Sequence, residues 1–217
     1  AEIGRLIEQP EVSEDDLRQR MQMLDEASGL ILGNLRRAAG MVQSFKRTAV
    51  DQTSEVEREF ELAEVIDDVL KTLQSLFKNT QIRIDVDCPR EIRLFGSAGA
   101  LQQLLTNLLQ NSHLHAYANG AATGLIQIRA RVADGAARIE FSDDGAGMNA
   151  QTLERAFEPF FTTRRGLGGS GLGLYIAYNM ATQGLGGSIV CTSQTGQGTR
   201  FVVEFPQYST HASGGRS

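Results

Sequence analysis

Cysteine is scarce in this chain of 217 residues: Cys88 and Cys191 stand far apart. They have neither the paired spacing of a zinc knuckle nor the density of a secreted disulfide scaffold, which fits a reducing, cytoplasmic setting. Long apolar runs are absent too, and none approaches the roughly 18 residues that a membrane span needs. Positive charge is not in excess. A formal net charge of -5 offers no basic field, which argues against nucleic acid as a main partner and requires any anionic ligand to be held by local devices. No signal peptide is evident. The chain opens on AEIGRLIEQ without a methionine, so a preceding part is expected, and whether that part reaches a membrane is left open. What is present, 41% hydrophobic and 22% charged residues, suits one soluble domain of ordinary size with an extension.

The extension comes first. From Ser13 to about Ala49, apolar or small residues recur at steps of four and three: Leu17, Met21, Leu24, Ser28, Ile31, Leu35, Ala38, Val42, Phe45, Ala49. No proline interrupts them, and Ser13 with Asp16 can form a capping box. The spacing predicts one long helix of about 50 Å whose apolar seam needs another helix. Gly29, Gly33 and Gly40 each cost it roughly 1 kcal/mol against alanine, so packing has to hold it straight. EIGRLIE before Pro10 reads as the end of a preceding helix. Residues 1–50 are therefore expected to be part of a helical hairpin, with the end of a first arm at 1–9 and the second arm at about 14–50. Residues 51–59 are polar and aperiodic, a linker.

Beyond the linker the period changes. Helical patterns are expected at about 61–78, 98–118 and 171–183. Between them QIRIDVD, LIQIRARV, ARIEF and TRFVVEF alternate apolar and polar residues, and SIVCTSQ adds a further strand. Strands with one wet face suit a sheet covered by helices on one side only. The fold class is α/β, a two-layer sandwich of a mixed sheet and helices over residues 60–206, followed by a disordered tail at 207–217.

Five strings within this region can carry chemistry. In NLLQNSHLH the residues Asn107, Asn111 and His115 lie along one helix face while His113 points away, so the two histidines cannot chelate one metal. The stacked amides can offer oxygen to a hard cation such as magnesium, or they are surface amides. FSDDGAGM places Asp143 and Asp144 at a strand end, and Gly145 and Gly147 let the backbone turn and admit a flat ligand, or merely make a turn. FEPFFTTRR sets Phe157, Phe160 and Phe161 as anchors of a loop that ends in Arg164 and Arg165, which can reach a phosphate. GLGGSGLGL runs through Gly169, Gly171, Leu172, Gly173 and Leu174 into a helix, where bare amides make an anion site, yet it matches neither a P-loop nor a Rossmann turn. TGQGTRF has the glycines of a hairpin turn.

In this order and spacing the five strings resemble the N box, the first glycine box, the F box, and the second and third glycine boxes of the sensor histidine kinases. Those kinases form one branch of the GHKL superfamily, whose ATP-binding (Bergerat) fold is shared with Hsp90, MutL and type II topoisomerases. The F box followed by GSGLGL is the histidine kinase form. The resemblance implies that Asn111 coordinates Mg2+ on the ATP phosphates with Asn107 beside it, and that Asp143 accepts the adenine amino group, with Gly145, Gly147 and Thr199 at the base. It further implies a lid from about Asn149 to Ser170 that carries Arg164 and Arg165, and phosphate held by the amides around Gly169, Gly171 and Gly173. His115 would sit near the phosphates in a supporting role. Asp144 departs from the family's usual asparagine and would add negative charge near the nucleotide.

The phosphate-accepting histidine of that family stands on the first helix of a hairpin, followed by an acidic residue and later a proline. No such string occurs here, so His113, His115 and His211 are not expected to accept phosphate, and these residues alone are not expected to autophosphorylate. The resemblance implies a dimer through the hairpin and a response-regulator receiver domain as partner. Two alternatives share the pocket: a serine protein kinase of the same superfamily, which has no need of a long heptad helix, and a non-enzymatic ATP-dependent scaffold.

Overall fold

Leucines at positions 101, 104, 105, 108 and 109 make one broad apolar stripe of a helix, and Ser97 caps it by accepting from the Ala100 N–H at 2.9 Å. The computed structural model describes residues 14–33 except 16, 30 and 31, and residues 57–208 except 119 and 165–168. The chain divides into two units, residues 1–45 and 46–217. In the first unit the described residues 14, 15, 17–29, 32 and 33 are helical, and Leu17, Met21 and Leu24 are exposed. The rest of the expected long helix, including Gly40, lies outside the described residues.

The second unit opens with β1 (Arg58–Glu61), α1 (Leu62–Thr72), α2 (Gln74–Phe77), β2 (Ile82–Asp87), β3 (Arg93–Gly96) and α3 (Ala98–Asn111). It continues with β4 (Gly124–Ala133), β5 (Ala136–Asp143), α4 (Ala150–Glu154), α5 (Gly173–Asn179), β6 (Ser188–Ser193) and β7 (Thr199–Pro206). One five-stranded sheet has the order β2-β4-β5-β7-β6, parallel only between β2 and β4. A separate antiparallel ribbon pairs β1 with β3.

The alternation of the strands sorts the two faces of the large sheet. Ile126, Ile128, Ala130, Ile139, Phe141, Phe201 and Val203 are fully buried, packed with Leu62, Ile66, Leu101, Leu104 and Leu105 from the helices. Each such leucine contributes about 1.5–3 kcal/mol. The opposite face is wet and charged: Asp87 pairs with Arg131, Arg138 with Glu204 and with Glu140 at 3.1 Å, and Arg200 with Glu140 at 2.7 Å. Exposed pairs of this kind add little stability, but they keep one face hydrated. The mixed sheet with helices on its apolar face is the expected two-layer sandwich.

Several boundaries differ from the sequence reading. Arg58 and Glu59, read as linker, already belong to β1, because they pair with Gly96 and Phe95. The helix expected at 61–78 breaks at Leu73. Those at 98–118 and 171–183 finish in π-helical turns, at Ser112–Ala116 and Met180–Gly184, and the second begins only at Gly173. Gln207 and Tyr208, read as disordered tail, are tied down: the Phe95 N–H donates to the Gln207 carbonyl at 3.0 Å, Gln207 Nε2 to the Arg93 carbonyl at 3.0 Å, and Tyr208 bridges Phe95.

Candidate nucleotide site

Asp143 ends β5, next to Ser112 in the turn that follows α3. It is almost fully buried. Ser112 Oγ donates to its Oδ2 at 2.9 Å and the Gly145 N–H to its Oδ1 at 3.2 Å, while Thr199 stands opposite it in register. Burial pushes its carboxyl above the usual carboxylate range; the bonds from Ser112, Gly145 and the Thr199 backbone pull the other way, and neighbouring Asp144 adds to the rise. A buried carboxylate with donors on both oxygens is an acceptor held at a fixed angle.

The turn that follows depends on its glycines. A Cβ on Gly145 would collide with Ala116, lying 2.7 Å from its carbonyl oxygen. Gly147 has φ +63, and a Cβ there would lie 2.8 Å from the Gln194 carbonyl carbon and 3.0 Å from the Gly198 oxygen. The first glycine box is thus pressed against both the end of α3 and the β6–β7 hairpin. Ser193 pins that hairpin: it accepts from the Met148 N–H at 2.8 Å, donates to the Gly198 carbonyl at 2.8 Å and lies 3.0 Å from Thr199 Oγ1.

Asp144, expected to add negative charge near the nucleotide, is tied into the fold through one of its carboxylate oxygens. Its Oδ1 accepts from the Leu125 N–H at 2.8 Å and lies 2.8 Å from the hydroxyl of the buried Tyr117. The carboxylate is committed to holding β4 and the end of α3 together, a task that an asparagine oxygen does equally well.

On α3, Asn107 is buried and donates through Nδ2 to the Gln103 carbonyl at 2.8 Å. This leaves its Oδ1 turned toward Gly173, where an added Cβ would sit 3.8 Å away. One turn on, the Asn111 side chain is half-buried and makes no hydrogen bond to another described residue. Among the described residues no cluster of three His, Cys, Asp or Glu side chains can hold a metal. Two amide oxygens suit a magnesium ion that arrives on phosphates and keeps most of its ligands from there, so these residues fit that cation.

His115 faces the loop expected to be a lid. Its Nδ1 lies 3.4 Å from Thr163 Oγ1, and burial together with the Arg164 guanidinium lowers its pKa. His113 turns away and meets Phe77 edge-on at 5.5 Å between ring centres. Phe157 roots the loop by packing on Tyr178 and Phe201. Phe160, at φ +65, and Phe161 pass directly over Gly171. The Gly169 N–H donates to the Arg164 carbonyl at 3.2 Å. Leu172 is buried and Leu174 packs against the core next to the second glycine box. Arg165 lies outside the described residues, as does His211.

The structure thus sets Asn107, Asn111 and His115 along α3 and the turn that ends it, with Asn107 Oδ1 toward Gly173, and sets Asp143, Gly145, Gly147 and Thr199 at the ends of β5 and β7, tied to that turn through Ser112. Residues 96–209, more than half of the chain, match the family described as histidine kinase-, DNA gyrase B- and HSP90-like ATPase. The chain belongs to that family. It is an ATP-binding catalytic domain of the sensor histidine kinase type, as its relatives agree. Sensor kinase CckA of Brucella abortus is 32% identical over 190 residues, covering 80% of this chain and 19% of its own. The signal transduction histidine-protein kinase BaeS of Escherichia coli is 34% identical over 134 residues, covering 60% of this chain and 28% of its own. The chain spans less than a third of the length of these curated relatives. Among solved structures, the catalytic domain of histidine kinase ThkA is 26% identical, with TM-score 0.62, over 70% of this chain and 97% of that one.

Ser112, Tyr117 and Ser193 were not among the candidates drawn from the sequence. Ser112 had a detectable signal. It falls at the next step of the stripe formed by Leu101, Leu105 and Leu108, a hydroxyl where the helix otherwise presents leucine.

Proposed function

We propose that this chain is the nucleotide-binding catalytic part of a sensor histidine kinase, which delivers the γ-phosphoryl group of Mg-ATP to a histidine for relay to a response-regulator aspartate. The observation that carries this reading is the buried Asp143 carboxyl, bonded by Ser112 and Gly145 and lying in one continuous body with Asn107 and Asn111. The first selects a base with an amino group, and the asparagine pair faces the glycines that can hold phosphate. Asp143, Gly145, Gly147 and Thr199 would hold the adenine. Asn107, Asn111, His115 and the amides at Gly169, Gly171, Leu172, Gly173 and Leu174 would surround the phosphates. Arg164 and Arg165 would reach the transferred group from the lid. Mg2+, held at Asn111, would supply charge neutralisation on the phosphate oxygens.

The accepting histidine is read as lying outside these residues, on a complete helical hairpin. His113 packs on Phe77, and His115 belongs to the nucleotide site, so neither is free to travel to a phosphoryl donor. The exposed Leu17, Met21 and Leu24 at steps of four and three support a homodimer through the hairpin arm expected at about 14–50, and sedimentation at high concentration tests that reading by asking whether dimers form. No helix among the described residues is long and apolar enough to cross a membrane.

Calorimetry with a non-hydrolysable ATP analogue and Mg2+, followed by ATP in the presence of a catalytically inactive relative that carries an intact hairpin, tests the proposal. Binding with phosphorylation of the relative's histidine, but none of this chain, is the expected result. Binding without transfer would favour a scaffold, and no binding would remove the site assignment.

A further inference from the structure

Ser112 is completely buried at the first residue of the π-helical turn that ends α3. Its backbone N–H is satisfied by the Leu108 and Leu109 carbonyls, and its hydroxyl has one partner, Asp143 Oδ2 at 2.9 Å. The other carboxylate oxygen already accepts from Gly145. An ionised carboxylate only accepts, so the serine proton points at it. Were the carboxyl protonated, the same site would hold a donor, and Asp143 would then complement a purine with a carbonyl group.

We propose that Ser112 is a specificity-determining positioning residue, whose hydroxyl fixes Asp143 as an acceptor and thereby sets the preference of this pocket for a purine with an amino donor over one with a carbonyl. The inference rests on the nucleotide-site reading given above. The groups that face Asp143 make this donor consequential. Asp144 on the same loop disfavours its charge, and neither the Tyr117 hydroxyl at the end of α3 nor the Cys191 thiol on β6, itself pushed up to about 12 by burial, supplies a positive charge. Only neutral donors hold the carboxylate ionised, namely Ser112, Gly145 and the Thr199 backbone, and Ser112 is the one side chain among them. A hydrogen bond to a charged group is worth enough to change an affinity about tenfold.

The test is calorimetric titration of non-hydrolysable ATP and GTP analogues, each with Mg2+, into the wild-type chain, Ser112→Ala and Ser112→Cys between pH 5.5 and 8, with thermal unfolding alongside. In Ser112→Ala the ratio of ATP to GTP affinity is expected to narrow about tenfold, chiefly through loss of ATP binding. The pH below which ATP binding weakens is expected to move upward. Ser112→Cys, a weaker donor of similar shape, falls between the two and carries the same prediction should the alanine variant fold poorly. An unchanged ATP-to-GTP ratio in a folded variant overturns the inference while leaving the nucleotide site standing. Wild-type chain that binds neither analogue overturns both.

Discussion

At the scale of single residues, the site is a compromise between burial and charge. Asp143 has its pKa raised by desolvation despite three donors, so the folded chain binds its proton more readily than the unfolded chain does. Stability linked to this group is therefore full below the unfolded carboxylate pKa, near 3.9, and is lost as pH rises through the higher folded value. Asp143→Asn removes that loss: the amide oxygen keeps the Gly145 N–H and the Ser112 hydroxyl can turn to accept from the amide nitrogen. Thermal unfolding without nucleotide is expected to show the variant more stable than wild type at pH 7, with the difference vanishing toward pH 4. The same variant should bind the ATP analogue at least about tenfold more weakly, because an acceptor for the base is lost. A site that is stabilised by disabling it is the mark of function rather than packing.

At the scale of elements, glycine-bearing turns differ in what surrounds them, and their variants should differ accordingly. Gly147→Ala places a Cβ against the Gln194 and Gly198 backbone at φ +63 and is expected to cost about 1–3 kcal/mol in urea unfolding. Gly135 has φ +74 but nothing within 4 Å of its would-be Cβ, so Gly135→Asn should stay within about 0.5 kcal/mol. The strands were legible because Ile126, Ile128 and Ala130 alternate with Gln127, Arg129 and Arg131, a pattern that only a one-sided sheet requires. Helix α3 was equally plain from its leucines. The π-helical turn was not, since its cause is tertiary: Ser112 and Tyr117 are drawn to Asp143 and Asp144, partners 31 and 27 residues away. Ribbon β1–β3 was missed for a similar reason, because Arg58–Glu61 is too short and too charged to show a period and exists through its pairing alone.

At the scale of the whole molecule, the second unit has its own continuous core, from Phe60 to Phe205. A chain without residues 1–45 is expected to unfold in one cooperative transition and to bind the ATP analogue with unchanged affinity; loss of cooperativity on deletion would show that the helical unit supports the fold. The wet charged face of the sheet and the apolar face under the helices divide the labour, the one keeping the domain hydrated and the other building its core. Glu59 pairs with Phe95 from one side and Tyr208 bridges it from the other. The incoming and outgoing chain are thus a strand's width either side of β3, roughly 10 Å apart. A domain whose entrance and exit share one doorway can be threaded into a longer protein like a bead on a string.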